Sequence, residues 1–461
     1  MAESRLTVVT CAALALSACA SASRPVSPAT PRPLARDVSV YRPTANDRGR
    51  PQGPAIANPG DTVTLRDVVA LALLHSPDLA AFAWETRARE ARVVQAGRLP
   101  NPVIGILAED INTAAPAVAS GTRQIVQPQT TIQLSQLIEL AGKRTARQRL
   151  AARDRDVAAW DYEAARIDVL TRVTHSFIDV LSAQEMVTLT RQSAQLVEQV
   201  QQSASARVVA GVVSPVEETK ADVAVAAARV EADRALRMLE TSRERLASQW
   251  GGSTATFRRA AGDLSLVPNL PSVTTLKARL TQNPELARWA VAVSQREAAL
   301  AIERSKRLPD ITLTAGQRRF ADVRATAYLI GASIPVPLFD RNGDAAEEAK
   351  SRLNKAYEER RAAEANVSVT LSETYRALSS AHQEVTALRE TVLPLSRQIF
   401  EAVDEGYRLG RFGYLDVLDA QRTLIAARGQ YLRAVSDYHK AVADVERLIG
   451  EPLSAIPVEP R

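Results

Sequence analysis

The stretch Ala210-Gly211-Val212-Val213-Ser214-Pro215-Val216-Glu217 is answered 199 residues later by Leu409-Gly410-Arg411-Phe412-Gly413-Tyr414-Leu415-Asp416, and the register then runs without a gap to Gly251 and Gly450. Within it, Ala227-Ala228-Arg229 matches Ala426-Ala427-Arg428, and Arg234-Ala235 matches Arg433-Ala434. Upstream the match loosens but persists, with Ser76-Pro77-Asp78-Leu79 against Asn283-Pro284-Glu285-Leu286 and Arg98-Leu99-Pro100 against Arg307-Leu308-Pro309. Differences in loop length produce such a shift of offset. The chain is a tandem duplication, so one supersecondary plan serves twice.

In each half that plan reads as a helix, two short strands, one very long helix, a turn and a returning helix. Thr131-Ile132-Gln133-Leu134-Ser135 and Ile311-Thr312-Leu313-Thr314-Ala315 alternate with period two, and Tyr328 to Ile334 does so less strictly. The pattern predicts one hairpin per half: Val103–Glu109 with Thr130–Leu137, and Ile311–Arg318 with Ala327–Ile334. The loop 110–129 is long and polar. Between Gly142 and Gly211 there is neither Gly nor Pro, and Leu170, Val173, Phe177, Val180 and Val187 fall near heptad positions. This predicts a helix of about 65 residues, roughly 100 Å long at 1.5 Å per residue. Its counterpart, 344–409, contains one proline, Pro394, where a kink is expected. The returning helices span 216–250 and 415–449.

Four short amphipathic strands cannot close a barrel, and open sheet edges are not tolerated in hydrocarbon. If the strands lie in a membrane, several chains share one barrel. Three chains would supply twelve strands, an even number within the range of such barrels.

At the start, Arg5 precedes an apolar run from Leu6 to Ala18 and then Leu16-Ser17-Ala18-Cys19, a small-residue cleavage pattern closing on cysteine. It resembles a bacterial lipoprotein signal, which would make Cys19 the acylated N-terminus, and Ala20 after it is compatible with sorting to the outer membrane. Plain signal cleavage and an uncleaved start are the other readings. Cys11 lies in the segment that would be removed, so the mature chain would hold no internal disulfide and no cysteine metal site. The interval 19–60, rich in Pro, Ser, Ala and Arg without apolar periodicity, reads as an extended tether. The expected division is 1–18 signal, 19–60 tether, 61–255 first repeat, 256–270 linker, 271–450 second repeat and 451–461 tail. Over the whole chain aromatics are scarce, at 4%, which fits long helices packed through small residues. The net charge of +6 comes from 58 basic against 52 acidic residues, interleaved at helical spacing as in Glu358-Glu359-Arg360-Arg361. With no aromatic interleaving and no binding module, nucleic acid is excluded as a partner.

Gly97-Arg98-Leu99-Pro100-Asn101-Pro102, Tyr407-Arg408-Leu409-Gly410 leading into Leu415-Asp416-Val417-Leu418-Asp419-Ala420-Gln421, and the duplication itself together resemble the TolC-type outer-membrane efflux family over Asp61 to Gly450. Gln136-Leu137-Ile138-Glu139-Leu140-Ala141-Gly142-Lys143-Arg144 and Pro337-Leu338-Phe339-Asp340-Arg341-Asn342-Gly343 are similar to the CzcC-like heavy-metal branch. Both phrases sit at strand-to-helix junctions, where Gly and Asp-Arg-Asn-Gly also have a purely structural job as turn residues. The resemblance implies a mostly α, mixed α and β fold: a homotrimer with a shared 12-strand transmembrane β-barrel in the outer-membrane lipid, continued by a long periplasmic α-helical barrel. It further implies a periplasmic adaptor and an inner-membrane resistance-nodulation-division pump as partners. No nucleotide-binding loop is present in the sequence, so energy would enter at the pump.

The resemblance also carries site residues. It places Asp416 and Asp419, three apart at a helix start, at the pore constriction, where rings of carboxylates favour cations; the bland alternative is helix capping by first-turn acids. The first copy has Glu217 and Lys220 there and would not duplicate the ring. Gly211, Tyr407, Gly410, Arg411 and Phe412 are matched to the periplasmic tip and adaptor contact, with Tyr407 a candidate for hydrogen bonds that hold the closed end. Where some relatives carry arginine two residues after the glycine, Phe412 stands here, with Arg411 one place earlier, so a charged latch is not assigned and packing of Phe412 against a neighbouring turn or the adaptor is the alternative. His75, His175, His382 and His439 form no i, i+4 pair and no His/Cys cluster, and read as packing or surface residues, so no metal ligands and no cofactor are assigned. Three methionines give no thioether track. An enzyme is not indicated, for no His, Cys and Asp arrangement has catalytic spacing. The reading is an exit duct for divalent metal cations. Two rivals stay open: the same duct serving organic compounds, and a lipid-anchored periplasmic coiled-coil scaffold without a pore.

Overall fold

The computed structural model describes residues 31–43, 60–111, 128–321 and 324–457. The signal run, Cys19 and most of the 110–129 loop lie outside the described residues. The first copy comprises β1 (Thr62–Thr64), α1 (Leu65–His75), α2 (Pro77–Ala96), β2 (Val103–Glu109), β3 (Gln129–Ile138), α3 (Lys143–Val209) and α4 (Pro215–Ser248). After β4 (Arg259–Ala261) the second supplies α5 (Val273–Arg279), α6 (Pro284–Ser305), β5 (Ile311–Phe320), β6 (Thr326–Ser333), α7 (Gly343–Ala387), α8 (Leu393–Arg408) and α9 (Tyr414–Ile449).

The two hairpins join into one antiparallel sheet in the order β2-β3-β5-β6, with the inter-copy seam at β3–β5. Register decides the faces. Ile104, Leu134, Ala315 and Ile330 lie in one row across the sheet, and Ile106, Ile132, Gln317 and Tyr328 in another on the same side. The opposite side carries Gln133, Ser135, Thr314 and Arg318; the Ser135 and Thr314 hydroxyls are hydrogen-bonded at 3.2 Å, and Arg318 Nε donates to Thr131 Oγ1 at 3.0 Å. The first face is therefore apolar over its middle rows and the second mixes these polar side chains with Val103, Leu107 and Leu329, since β2 is apolar on both sides; the apolar rows are left uncovered within the chain, Ile104, Ile106, Tyr328 and Ile330 being exposed.

The helix α3 runs unbroken for 67 residues. Its counterpart departs from a simple proline kink. Proline at 394 offers no N–H and crowds the carbonyl four residues back; the ladder answers with a π turn, Leu388–Val392, and α8 resumes with Pro394 in its first turn. At the strand-to-helix junctions the left-handed residues are Ala141 and Gly142 in the first copy, at φ 56° and 67°. In the second the bend falls on Asn342, at φ 53°, and not on the glycine that follows it. Asparagine tolerates this region because its short amide bonds locally; here its Nδ2 donates to the Glu303 carbonyl at 2.7 Å.

The main core gathers α1, α3, α4 and the small parallel pair β1–β4, with Leu73, Val173, Phe177, Leu246, Trp250 and Phe257 at its centre. The interval 256–270, read as a linker, thus carries a short strand whose Ala260 is buried. The side-chain amide of Gln184 extends its ladder, accepting from Ala260 N at 2.8 Å and donating to Ala260 O at 3.0 Å. Part of the tether is also docked: Leu34, Ala35, Val38 and Val40 pack on this core, Leu34 N donates to Gly450 O and Tyr41 N to Leu73 O, each at 3.2 Å. Beneath it Arg166 pairs with Glu163 and donates to the Leu34 carbonyl at 2.9 Å, while Arg32 N donates to Glu163 Oε1 at 2.7 Å. No single helix among the described residues is long and apolar enough to cross a membrane.

The α3–α9 crossing holds a titratable contact. His175 Nε2 lies 3.2 Å from both Asp444 Oδ1 and the Lys440 carbonyl, and Lys440 pairs with Asp179 at 2.5 Å. The Asp444 hydrogen bond raises the His175 pKa above its usual value, against the opposing effect of burial. A raised folded-state value adds stability that is full below the unfolded pKa, about 6.5, and is lost as pH rises through the folded value. The melting-temperature difference between the native chain and His175→Gln is therefore expected to be largest near pH 6 and to shrink towards pH 8; a difference constant across that range would remove the imidazolium–carboxylate contact.

Candidate functional site at the helical tips

Both helical hairpins turn by the same device. Gly211 N donates to Val208 O at 2.9 Å and Val212 N to Arg207 O at 2.9 Å; Gly410 N donates to Tyr407 O at 2.9 Å and Arg411 N to Gly406 O at 2.7 Å. With φ of 70° and 75°, the two glycines close paired Schellman motifs that satisfy the last carbonyls of α3 and α8. The next helices start differently. Ser214 accepts from Val216 N at 3.3 Å to cap α4, whereas Asp416 Oδ2 accepts from Gly413 N at 2.8 Å to begin α9.

Asp416 and Asp419 are both exposed on one side of α9, opposite the buried Tyr414, Val417 and Gln421. Asp416 is occupied by capping; the Asp419 carboxylate has no hydrogen bond or ion pair among the described residues. Of the matched first-copy positions, Lys220 is exposed and Glu217 keeps one buried oxygen without a partner.

Tyr407 sits in a cluster with Val197, Val200, Ala204, Tyr414, Val417 and Leu418 that joins the two hairpins. Its ring lies under the Arg207 guanidinium, 4.6 Å from the centroid, and its hydroxyl is buried without a hydrogen-bond partner among the described residues. So within one chain Tyr407 holds the hairpins by packing and a cation–π contact. Tyr414 is likewise buried and unpaired; burial first, then the neighbouring Tyr407, raises its pKa. Phe412 folds back on the preceding helix: a Cβ on Gly406 would overlap its ring, so glycine at 406 is what lets the ring pack against α8. Arg411 remains exposed at the turn. Sequence reasoning missed Gly406, Tyr414 and Gln421; the six-residue spacing from Gly406 to Phe412 was the available signal for the first.

Among the described residues no group of three or more His, Cys, Asp or Glu could hold a metal ion. His439 Nε2 lies 2.9 Å from the Leu264 carbonyl, and the His382 and His439 rings both pack on Tyr438. The tip thus offers carboxylates and exposed apolar turns.

Residues 68–252 and 275–451 match the family described as "Outer membrane efflux protein", one match on each copy. The chain is 35% identical over 388 residues to the cobalt-zinc-cadmium resistance protein CzcC of Cupriavidus metallidurans, covering 84% of this chain and 90% of that protein. It is 27% identical over 329 residues to the nickel-cobalt-cadmium resistance protein NccC of Alcaligenes xylosoxydans, covering 71% of each. The Campylobacter jejuni CmeC outer membrane channel superposes with a TM-score of 0.70 at 18% identity, over 85% of this chain and 88% of that one, a likeness of fold. Two family matches that coincide with the two copies, on a sheet with one apolar face and two long helical hairpins, identify the chain as a member of the outer membrane efflux protein family, whose members are channels and not enzymes.

Proposed function

We propose that this outer-membrane efflux channel is the exit duct of a tripartite system for divalent heavy-metal cations, working as a trimer with a periplasmic adaptor and an inner-membrane resistance-nodulation-division pump. The observation that carries the cargo is the 35% identity, over most of both chains, to a protein named for cobalt, zinc and cadmium resistance. The channel would be passive. Three copies of the four-stranded sheet would complete a twelve-stranded barrel, its uncovered apolar face turned to lipid and its polar face to the lumen. Two repeats, 61–255 and 271–450, would line the wall, and acylation of Cys19 would anchor the chain beside it; the Leu16-Ser17-Ala18-Cys19 run supports that anchor. Gly211, Tyr407, Gly410, Arg411 and Phe412 would form the periplasmic end that meets the adaptor.

The test is deletion of the gene in its host with complementation, followed by growth across divalent metals, dyes and detergents. Sensitivity confined to metals supports the cargo and names the ion; sensitivity to organic compounds alone removes the metal reading and leaves the duct.

Asp416 and Asp419 would ring the constriction, two carboxylates per chain. Because Asp416 also caps α9, with about 1 kcal/mol at stake in a cap of this kind, Asp419→Ala is the cleaner probe. The single change is expected to lower the cation-to-anion permeability ratio in planar bilayers, and the double change to Ala to lower it further. An unchanged reversal potential under a salt gradient would take both residues out of the constriction.

A further inference from the structure

Three residues of the sheet strands carry charge: Glu109 at the end of β2, and Arg318 and Arg319 on β5. Pairing fixes their faces. Arg318 shares a row with Leu107, Thr131 and Ala327, and Glu109 lies in the next row of the same side with Gln129 and Phe320; Arg319 falls on the opposite side, beside Thr130. On the face that carries Gln133, Ser135 and Thr314, Glu109 and Arg318 are therefore the only charged residues of the described strands, one of each sign.

They are also each other's partner. The Arg318 guanidinium crosses β3, where its Nε donates to Thr131 Oγ1 at 3.0 Å, and its Nη2 lies 3.2 Å from Glu109 Oε2 on β2. Glu109 Oε2 makes no hydrogen bond among the described residues, so the contact is one of opposite charges and not of an aligned donor and acceptor. The two side chains are 32% and 39% exposed, and an ion pair this open contributes little to stability. Its larger consequence is the field it casts. Both residues stand at the end of the sheet remote from the helices: β2 ends there at Glu109 and β5 at Phe320, whereas α2 and α6 enter, and α3 and α7 leave, at the other end. In the duct proposed above that end is the outer mouth and that face the lumen, so a trimer carries three such pairs round one ring.

We propose that Glu109 and Arg318 set the ion selectivity of the outer mouth by cancelling one another. Bare guanidiniums at this ring would repel a departing cation, and bare carboxylates would hold a divalent one, whereas conduction needs sites that an ion both enters and leaves. Glu109 keeps Arg318 from excluding the cation, and Arg318 keeps Glu109 from retaining it. The inference rests on the duct reading and adds to it a second place of selection, at the opposite end from Asp416 and Asp419.

The experiment compares the native full-length chain with Glu109→Gln, Arg318→Gln and the double variant in planar bilayers under a potassium chloride gradient. The series is repeated with Asp419→Ala, so that the tip does not mask the mouth. The readout is the potassium-to-chloride permeability ratio. In water a unit charge about 8 Å from a passing ion alters its local concentration roughly twofold. Glu109→Gln is expected to lower the ratio by roughly that factor or more, Arg318→Gln to raise it, and the double variant to return it to near the native value, a reversal that loss of a merely structural tie would not produce. Single variants that shift the ratio in one common direction or leave it unchanged in both series, or a double variant displaced as far as a single one, would overturn the proposal and leave the duct. A native chain that conducts no ions would remove the duct and the proposal together.

Discussion

Replacing Arg166 by methionine is expected to cost about 3–5 kcal/mol, the usual effect of leaving a buried charge without its partner. Arg166 and Glu163 are 2% and 3% exposed and are joined by two hydrogen bonds, at 2.9 and 2.7 Å. The same guanidinium donates to the carbonyls of Leu34 and Arg32, and Glu163 accepts from Arg32 N. Its loss therefore strands a carboxylate and also frees the docked segment, which ties the first copy to Gln282 and Gly450 of the second. The measurement is the urea midpoint in detergent, together with the rate at which trypsin cuts after Arg36. Replacing both partners, Glu163→Leu with Arg166→Met, is expected to recover part of the loss, because an apolar pair strands no charge. A single variant as mild as a surface change would show that the pair is not closed to water in solution.

The second large effect falls on the seam of the sheet. Gly316 faces Gln133 across β3–β5, and a Cβ there would lie 2.5 Å from the Ile132 carbonyl oxygen and 2.9 Å from Gln133 Cα. Both are backbone atoms, so no rotamer relieves the overlap. Strand propensity alone argues that valine should strengthen β5; the geometry predicts the reverse, with a cost of about 1–3 kcal/mol or more from overpacking. Gly331 on β6 is the within-chain comparison, since a Cβ there meets nothing of its own chain within 4 Å. Gly316→Val is expected to lower the urea midpoint in detergent and to lose bilayer conductance, and Gly331→Val to leave the midpoint near that of the native chain. Equal behaviour of the two would mean that the seam yields without harm.

Much of the path to these positions was legible in the residues. The hairpins were bounded to within two residues because period-two alternation flips at the turns, and α3 because a helix without Gly or Pro has no reason to stop. Other features had no local signature. The β1–β4 pair brings Thr62–Thr64 beside Arg259–Ala261, and three-residue strands that far apart leave no periodicity to read. The docking of residues 31–43 depends on a salt bridge more than 120 positions away, so composition alone read the segment as a tether. The site divided in the same way. The three-residue spacing of Asp416 and Asp419 already put them on one face, and both are exposed on one side of α9, whereas the Arg207 guanidinium over the Tyr407 ring had no local signal.

By itself the sequence determined the duplication, the alternation of the strands, the length of the helices and the glycine turns, all of which depend on neighbours within a few residues or on one fixed offset. Only the tertiary structure decided which halves touch: that β3 pairs with β5, that α3 serves both copies while the α7–α8 rod stands at an edge, and that Arg166 and Glu163 are closed off from water. The physical reason is that periodicity fixes which face of an element is apolar, whereas the partner that covers the face is chosen by packing between residues hundreds of positions apart.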